Sequence, residues 1–402
     1  MKLKLSTSLL LSILSLTSFA QSASVQLDSL IHKKVFHYNN NHFEGEGWNV
    51  LLTEINKAQI VLLGEQHGEA EIPVFTIKVA EVLKPKALIT EIDPYTARQL
   101  QKISIDTAGY SAYFKENPYD FAFYSYQTEM ELARQMTLAH TDIWGLNEIN
   151  FLSLGTFFNT LAGKAKLPAN KILAQKRAKQ YASHDRLIYK DINRYSDFIA
   201  YKIKPASLDS LLYAFRNESN ECKKMLRDLK ASLPIYANTS YQMRVNLMKK
   251  NLLNYLSPYI TTDSIRIPKL LFKLGANHVP RTNDLRDFFE VGNLASNLAE
   301  ASGKTSLHIM IFGKAGTVNQ MAPTNNRVAI QPYDAATDKD LDMFKPFYSP
   351  VSDQEWVLYD LRPIRDAVND GKLSVNRNLK GFIMGYDLLV VFGHSTGNRF
   401  IE

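Results

Sequence analysis

The stretch that most constrains the fold is a short, largely apolar run, Gln59–Leu63, which stops at Gly64. A run of this length that contains β-branched residues and ends at glycine predicts a buried strand leading into a loop. Charged groups at such a strand end are costly to bury unless they meet a partner or solvent. The ionisable residues that follow the run at once are Glu65, His67 and Glu69.

A second apolar run, Ala87–Thr90, has the same form and is followed directly by Glu91. Helical spacing over Ile72–Leu83 separates the two runs, so strand, helix and strand form a right-handed parallel unit. If the two strands are neighbours, their carboxyl ends meet at the sheet edge where ligands bind in open α/β folds. We therefore expect Glu65, His67 and Glu91 to converge there. The alternative is that His67 and Glu91 only satisfy loop backbone or solvent.

Strand candidates separated by helical stretches continue along the chain and predict an α/β fold with a mostly parallel central sheet and helices on both faces. These candidates are Asp142–Leu146, Lys269–Leu274, Leu307–Phe312, Arg327–Gln331, Glu355–Tyr359 and Asp387–Phe392. Residues 151–262 show helical spacing without a convincing strand, so we expect a helical insertion that caps the end of the sheet. The α/β domain then consists of residues 21–150 and residues 263–402.

Residues 1–20 have the pattern of a cleaved secretory signal peptide rather than that of a folded segment. Two lysines precede the apolar core Leu9–Leu16, and the small-x-small sequence Ser18-Phe19-Ala20 follows it. This core is too short to span a bilayer as a permanent helix. We therefore expect cleavage near Ala20, a periplasmic or secreted protein, and no stable membrane insertion.

The net charge of +7 bears on the partners to expect. Loss of Lys2 and Lys4 with the signal peptide leaves +5, and positive charge is concentrated in residues 164–204, where acidic residues are interspersed. This mixture favours a solvated helical face over a nucleic-acid interface, with an anionic surface as the alternative partner. We expect a small-molecule substrate and no nucleic acid, and the sequence predicts no oligomeric state. Cys222 is the only cysteine, so no intramolecular disulfide forms.

A second histidine follows a glycine at the same spacing at which His67 follows Gly64. Gly275 and His278 come directly after the apolar strand candidate near residue 270. Glycine lets the backbone turn sharply, so that each histidine points back over the sheet edge. Two histidines and two carboxylates can build a metal site, or one histidine can act as a general base that a carboxylate orients. Spacing alone does not decide between these alternatives.

Several short motifs together resemble the erythromycin esterase/ChaN-like superfamily, which includes macrolide esterases, Tiki/TraB-type proteins and haem-binding ChaN lipoproteins. The motifs are Gly64-Glu65-x-His67-Gly68, Glu91, Gly275-x-x-His278, Arg244-x-x-x-Met248-x-x-Asn251, the segment Phe121–Met130, and Trp356-x-x-x-Asp360-Leu361-Arg362-Pro363. The similarity extends over nearly the whole chain after the signal peptide. The first motif has the Tiki/TraB and ChaN spacing, one residue shorter than in macrolide esterases, whereas the arginine motif fits the esterases better.

This resemblance implies an exported hydrolase that cleaves an ester, or less often an amide, with activated water and no required cofactor. His67 would activate the water, Glu65 or Glu91 would orient the histidine, and His278 would serve as a second base or electrophile. Arg244 would stabilise the developing oxyanion or anchor an anionic substrate group, although an arginine on such a helix is more often a surface ion-pair partner. The residues expected to contact substrate are Asn277, Met248, Asn251 and Glu148.

Other branches of the superfamily imply two alternative functions. A ChaN-type protein would bind haem or another small ligand through His67 or His278 and perform no chemistry. A Tiki-type peptidase would depend on a divalent metal held by His67, Glu91 and His278.

Overall fold

The computed structural model describes residues 26–189, 192–237, 240–320 and 330–401. The signal peptide expected over residues 1–20 lies outside the described residues. Within the described ranges, ten strands form one sheet. The strands are β1 (Lys34–Asn39), β2 (His42–Glu44), β3 (Ile60–Glu65), β4 (Ala87–Thr90), β5 (Asp142–Gly145), β6 (Leu270–Gly275), β7 (Ser306–Asn319), β8 (Ile330–Asp334), β9 (Trp356–Asp360) and β10 (Leu388–Ser395).

The sheet has a parallel centre and antiparallel margins. Its order is β2-β1-β9-β10-β7-β3-β6-β4-β5, and β8 pairs with β7 off this path. Strands β10, β7, β3, β6, β4 and β5 run parallel to one another, while β9, β1, β2 and β8 are joined by antiparallel pairs. The prediction of a mostly parallel central sheet is therefore confirmed.

Strand β6 lies between β3 and β4, so these two strands are parallel but are not direct neighbours. Glu65 of β3 aligns with Gly275 of β6, and Thr90 of β4 aligns with Lys273 of the same strand. Because all three strands run in one direction, their carboxyl ends still share one edge. The inserted strand places its own end, with Gly275, between the ends of β3 and β4.

Helices cover both faces of this sheet, as the sequence predicts. They are α1 (Glu46–Lys57), α2 (Glu71–Leu83), α3 (Pro94–Ile103), α4 (Tyr110–Glu116), α5 (Gln127–Leu138), α6 (Leu154–Lys164), α7 (Pro168–Arg186), α8 (Ile199–Lys202), α9 (Pro205–Ala214), α10 (Asn220–Tyr236), α11 (Tyr241–Leu256), α12 (Val291–Ala301), α13 (Lys345–Tyr348), α14 (Arg362–Asn369) and α15 (Arg377–Gly385). Ile60 and Leu62 of β3 lie in one apolar core, and Val61 and Leu63 lie in the other. Burial on both faces explains why this strand is apolar without alternation.

Helices α6 to α11 lie between β5 and β6, where the sequence predicts a helical insertion. Helices α6 to α10 pack around a core of their own, which includes Phe158, Phe215 and Leu226. Helix α11 instead buries Met248 and Leu252 in the core on one face of the sheet. The segment is helical, and its division from the rest of the chain at residues 150 and 262 stays a prediction. No helix in the described ranges is long and apolar enough to cross a membrane.

Strand β7 is longer than the predicted strand Leu307–Phe312. It continues past Gly313 because further partners are available on its second half: β10 pairs with Ala315 and Gly316, and β8 pairs antiparallel with the last five residues. A glycine does not end a strand where neighbours on both sides supply hydrogen bonds. The candidate Arg327–Gln331 corresponds to β8, and its first residues lie outside the described part of the chain.

His308 of β7 is fully buried, and its surroundings keep the imidazole neutral in the folded protein. Its Nδ1 donates to the carbonyl of Val279 (2.7 Å), and burial together with the Arg281 cation lowers its pKa to about 3. An unfolded chain protonates this ring below about pH 6.5. We expect the free energy of unfolding to fall as the pH falls from about 6.5 towards 3, because only the unfolded state binds this proton. Urea unfolding of His308→Gln should show a smaller fall over that range, and equal falls in both proteins would contradict this assignment.

Candidate active site

The carboxyl ends of β3, β4 and β6 bring ionisable side chains together around Glu91. One carboxylate oxygen of Glu91, Oε1, lies 2.7 Å from Arg244 Nη2 and 3.2 Å from His278 Nε2. The other, Oε2, lies 3.5 Å from His67 Nε2 and accepts the backbone N–H of Gly275 at 2.9 Å. The structure therefore gathers the residues that the sequence singles out, although they come from widely separated parts of the chain.

His67 is the most accessible member of this group. Its side chain is 33% exposed, whereas the side chain of Glu91 is 9% exposed and that of His278 is 5% exposed. The Nδ1 atom lies 2.8 Å from Glu65 Oε1, and the ring stacks on Phe123 with centroids 4.6 Å apart. The carboxylate and the aromatic ring fix the imidazole plane and leave its Nε2 edge towards Glu91. His67 is thus the histidine best placed to meet a substrate.

His278 is held in a similar way but deeper in the protein. It lies on the 3-10 turn Ala276–His278 after β6, and its Nδ1 lies 3.0 Å from Glu290 Oε2. Glu290 also accepts the hydroxyl of Tyr241 at 2.8 Å. Each histidine therefore has a carboxylate beside both ring nitrogens, and Glu91 is the carboxylate that the two share.

These carboxylates favour the protonated form of both rings. Burial alone would lower the pKa of His67, but its hydrogen bonds to Glu65 and Glu91 raise it to about 10. Burial likewise opposes protonation of His278, yet the charge of Glu91 and the hydrogen bond to Glu290 raise its pKa to about 9. Burial would raise the pKa of Glu91, and the two histidines with Arg244 hold it well below its usual range. The site therefore favours an ionised Glu91 and protons on both neighbouring rings.

Arg244 reaches the site from α11 and is both an ion-pair partner and part of the cluster. Its Nε donates to Asn147 Oδ1 at 3.0 Å and to Glu148 Oε2 at 3.2 Å. Its side chain is 20% exposed, and that of Glu148 is 19% exposed. Asn147 and Glu148, which follow β5, therefore orient the guanidinium so that its Nη2 donates to Glu91.

The other residues expected to contact substrate are distributed differently. Asn277 is exposed beside His278. Met248 is fully buried in an apolar core, and Asn251 donates to the carbonyl of Leu146 at 2.8 Å. The structure therefore gives Met248 a packing role and Asn251 a role in anchoring the end of β5. A direct contact of any of these residues with substrate stays a prediction.

Three residues that lie next to the cluster are not among the site residues predicted from the sequence. Lys273 and Glu129 are buried beside Glu65, and Glu290 is buried beside His278. Lys273 does leave a signal, since a lysine interrupts an otherwise apolar strand. Glu129 lies within Phe121–Met130, the segment that resembles part of the esterases. Glu290 has no pattern that distinguishes it from a surface glutamate.

His67, Glu91 and His278 do not fit a divalent metal in this arrangement. The guanidinium of Arg244 lies 2.7 Å from Glu91 Oε1, and its Nη1 lies 3.2 Å from His278 Nε2. A permanent cation at that position repels a second one. In the described ranges, no three His, Cys, Asp or Glu side chains are grouped so as to hold a metal ion. The arrangement suits proton transfer better than metal binding.

Gly275 packs closely against His67 and Glu91. A Cβ atom here would lie 3.0 Å from His67 Nε2 and 3.3 Å from Glu91 Oε2, and the backbone φ of −53° suits alanine. If the site hydrolyses an ester, as the sequence resemblance implies, we expect Gly275→Ala to lower that activity by about tenfold or more, because the methyl group crowds His67 Nε2 and disturbs the reacting geometry. Thermal unfolding should change little. Gly163→Ala, whose Cβ would meet nothing within 4 Å, is the control. Full activity of Gly275→Ala would show that the reaction does not depend on this geometry.

Solved structures share this fold at low sequence identity. A mutant of the erythromycin esterase EreC in its open conformation superposes with a TM-score of 0.55 over 92% of this chain and 100% of its own, at 12% identity. A succinoglycan biosynthesis protein gives a TM-score of 0.55 over 93% and 97% of the two chains, at 14% identity. A Bacillus cereus protein gives 0.53 over 88% and 92%, at 16% identity.

A haem-binding ChaN of Campylobacter jejuni is less similar: it gives a TM-score of 0.28 over 70% of this chain and 91% of its own, at 12% identity. No family model and no curated protein matches the sequence. The α/β fold that the motifs predict is confirmed, and the chain shares the fold of EreC along almost its whole length.

Proposed function

We propose that this chain is an exported hydrolase of the erythromycin-esterase type, which cleaves an ester with a water molecule activated by His67. The observation that carries the proposal is the position of His67 between two carboxylates. Its Nδ1 is 2.8 Å from Glu65, and its accessible Nε2 edge is 3.5 Å from Glu91. The fold shared with EreC supports the reaction class. Export, to the periplasm or beyond, rests on the signal-peptide pattern of residues 1–20.

The geometry suggests how such a reaction would proceed. A distance of 3.5 Å is at the outer limit of a direct hydrogen bond, so His67 Nε2 and Glu91 Oε2 can both contact one water beside them. Neutral His67 takes a proton from this water, and the resulting hydroxide attacks the carbonyl carbon of the ester. The imidazolium, stabilised by Glu65, then returns the proton to the departing alcohol as the carbon–oxygen bond breaks.

Arg244 and His278 support this chemistry from the other side of Glu91. Arg244 is partly exposed, and its planar donor group suits an oxygen that gains negative charge during the attack. His278 is nearly buried and lies 3.2 Å from the Glu91 oxygen that Arg244 also contacts. We infer that His278 keeps Glu91 ionised and in place, rather than serving as a second base.

Ligation of haem iron by these histidines is less consistent with the site. Each ring has carboxylate oxygens beside both nitrogens, at distances from 2.8 to 3.5 Å. Such surroundings stabilise a proton on each nitrogen, and that proton competes with a metal for the same lone pair. A general base needs to lose this proton only in the fraction of molecules that react, whereas an iron ligand must give it up permanently. The hydrolase is therefore the function that the site supports best.

Hydrolysis of a panel of carboxylic esters and matching amides, macrolides included, tests the proposal with the purified chain lacking residues 1–20. We expect turnover of at least one ester, weaker turnover of the amide, and no loss of activity after dialysis against a chelator. A haem titration should give no Soret shift at stoichiometric protein. Inactivity on every ester, or activity that disappears with the chelator and returns with a metal, would overturn the proposal.

A further inference from the structure

A lysine is buried in the middle of the sheet, directly below the candidate active site. Lys273 lies on β6 with no exposed surface, and its Nζ is 2.6 Å from Glu65 Oε2 and 2.6 Å from Glu129 Oε1. Placing an ammonium group inside a sheet is costly, and an apolar residue of similar volume is often at least as stable. Stability alone therefore does not account for a lysine at this position.

Lys273 contacts the carboxylate that holds the proposed base. Glu65 uses one oxygen for His67 Nδ1, at 2.8 Å, and the other for Lys273, at 2.6 Å. Its side chain is only 2% exposed, so solvent does not compete for either oxygen. With both oxygens engaged, the carboxylate plane is fixed, and so is the direction from which Glu65 meets the imidazole.

Glu129 of α5 is the second carboxylate that holds Lys273. Its Oε1 contacts Lys273, while its Oε2 is buried and has no hydrogen-bond partner among the described residues. The turn before α5 supplies Phe123, whose ring stacks on His67 and lies 5.5 Å from the Lys273 ammonium. Glu129, Lys273, Glu65 and His67 thus form a series of contacts. The segment that carries Phe123 and Glu129 supplies the first residue of this series and contacts the last.

We propose that Lys273 and Glu129 are positioning residues that orient Glu65 and, through it, His67 for proton transfer. This inference rests on the proposed hydrolase function. In the described structure, neither side chain forms a hydrogen bond or an ion pair with His67 itself. Their contribution is geometric: Glu129 fixes the ammonium group, the ammonium fixes Glu65, and Glu65 fixes the plane of the imidazole.

Replacing Lys273 and Glu129 together distinguishes an effect on the orientation of His67 from an effect on the stability of the fold. Lys273→Met alone leaves two buried glutamates without their cation, so we expect both stability and kcat to fall. The double variant Lys273→Met/Glu129→Leu removes the uncompensated charge on Glu129 and should regain much of the unfolding midpoint. We expect its kcat to stay about tenfold or more below wild type, as is typical when a residue that orients a functional side chain is lost, with KM within about twofold. A kcat that recovers together with the unfolding midpoint would overturn the proposal.

Two further comparisons support this test: a control ion pair far from the site, and the same replacement in a Glu65→Gln protein. Arg362 of α14 pairs with Glu54 of α1, 2.6 Å away, and with Asp360, which lies at the amino end of the parallel strands, away from the site. Arg362→Met/Glu54→Leu should therefore leave kcat unchanged. In a Glu65→Gln background, the Lys273/Glu129 replacement should cost less than about twofold in kcat, because residues that act through one group are not additive. Equal losses in the wild-type and Glu65→Gln backgrounds would show that Lys273 does not act through Glu65.

NMR of the imidazole nitrogens tests whether Lys273 and Glu129 orient His67, and it does so without measuring turnover. The His67 signals are assigned by their absence in His67→Gln. We expect the Nδ1 signal of His67 to shift in Lys273→Met/Glu129→Leu and to stay in place in Arg362→Met/Glu54→Leu. An unchanged Nδ1 signal would overturn the positioning role even if esters are hydrolysed. A shifted signal in a protein that hydrolyses no ester would keep the positioning role and reject the proposed function.

Discussion

Replacing His67 with glutamine is expected to lower kcat/KM for ester hydrolysis by about a thousandfold, within the range for loss of a general acid–base group. Glutamine retains polarity and approximate size but has no group that takes and returns a proton near neutral pH. His67 is also the ring that stands between Glu65 and Glu91 with an accessible edge. The measurement is the initial rate on the best ester of the panel, with circular dichroism to verify the fold.

The matched control for this variant is His42→Gln on the outer strand β2. His42 has a side chain that is 58% exposed, and its substitution should leave the rate unchanged. A His67→Gln protein that keeps more than about a tenth of the wild-type kcat/KM would place the chemistry elsewhere, because the loss would be smaller than acid–base catalysis supplies.

Replacing Glu91 with glutamine is expected to weaken both the reaction and the fold. The carboxylate faces His67, His278 and Arg244, and its side chain is only 9% exposed. Breaking a buried ion pair by removing one partner costs about 3 kcal/mol, since cations are left without their counter-charge. We expect kcat/KM to fall by about a hundredfold or more, because the water loses one of its two acceptors. Urea unfolding and initial rates measure the two effects separately.

Glu148→Gln distinguishes a special role of Glu91 from a general loss of charge. Glu148 also contacts Arg244, at 3.2 Å, but its side chain is 19% exposed and, among the described residues, forms no ion pair or hydrogen bond with either histidine. Partly exposed ion pairs contribute about 1 kcal/mol or less. We expect Glu148→Gln to lose less than about tenfold in kcat/KM. Equal losses in both variants would contradict the central position assigned to Glu91.

Local patterns were sufficient to predict the strands that carry the site. The runs at β3 and β4 are apolar throughout because both faces of the sheet are covered, and glycine or a carboxylate marks where each run ends. The place of β6 between them was not predictable in this way, since more than 170 residues separate Thr90 from Leu270 in the sequence. Pairing at that distance depends on how the whole sheet assembles, which local periodicity does not encode.

The site itself was predictable where polar residues interrupt an apolar pattern at a strand end. Glu65, His67, Glu91 and His278 all meet that description, and the structure brings them together. Met248 shares a helical face with Arg244 in the sequence pattern, yet it packs into the core. Helix α11 places Arg244 in the site and Met248, one turn later, in the core against the sheet. Shared helical spacing therefore does not establish a shared role. Glu290 is close only because the loop after His278 folds back.

The pH dependence of kcat/KM tests the central claim, that neutral His67 is the base. Because the site raises the pKa of His67 to about 10, the neutral ring is a small fraction of the protein at neutral pH. We predict that kcat/KM rises about tenfold per pH unit above pH 7 and levels off near pH 10. A raised histidine pKa stabilises the fold fully below about pH 6.5 and loses this contribution as the pH approaches 10, so circular dichroism must verify folding at each point. A profile that is flat or falling between about pH 7 and 9, in folded protein, would contradict the assignment of His67 as the base.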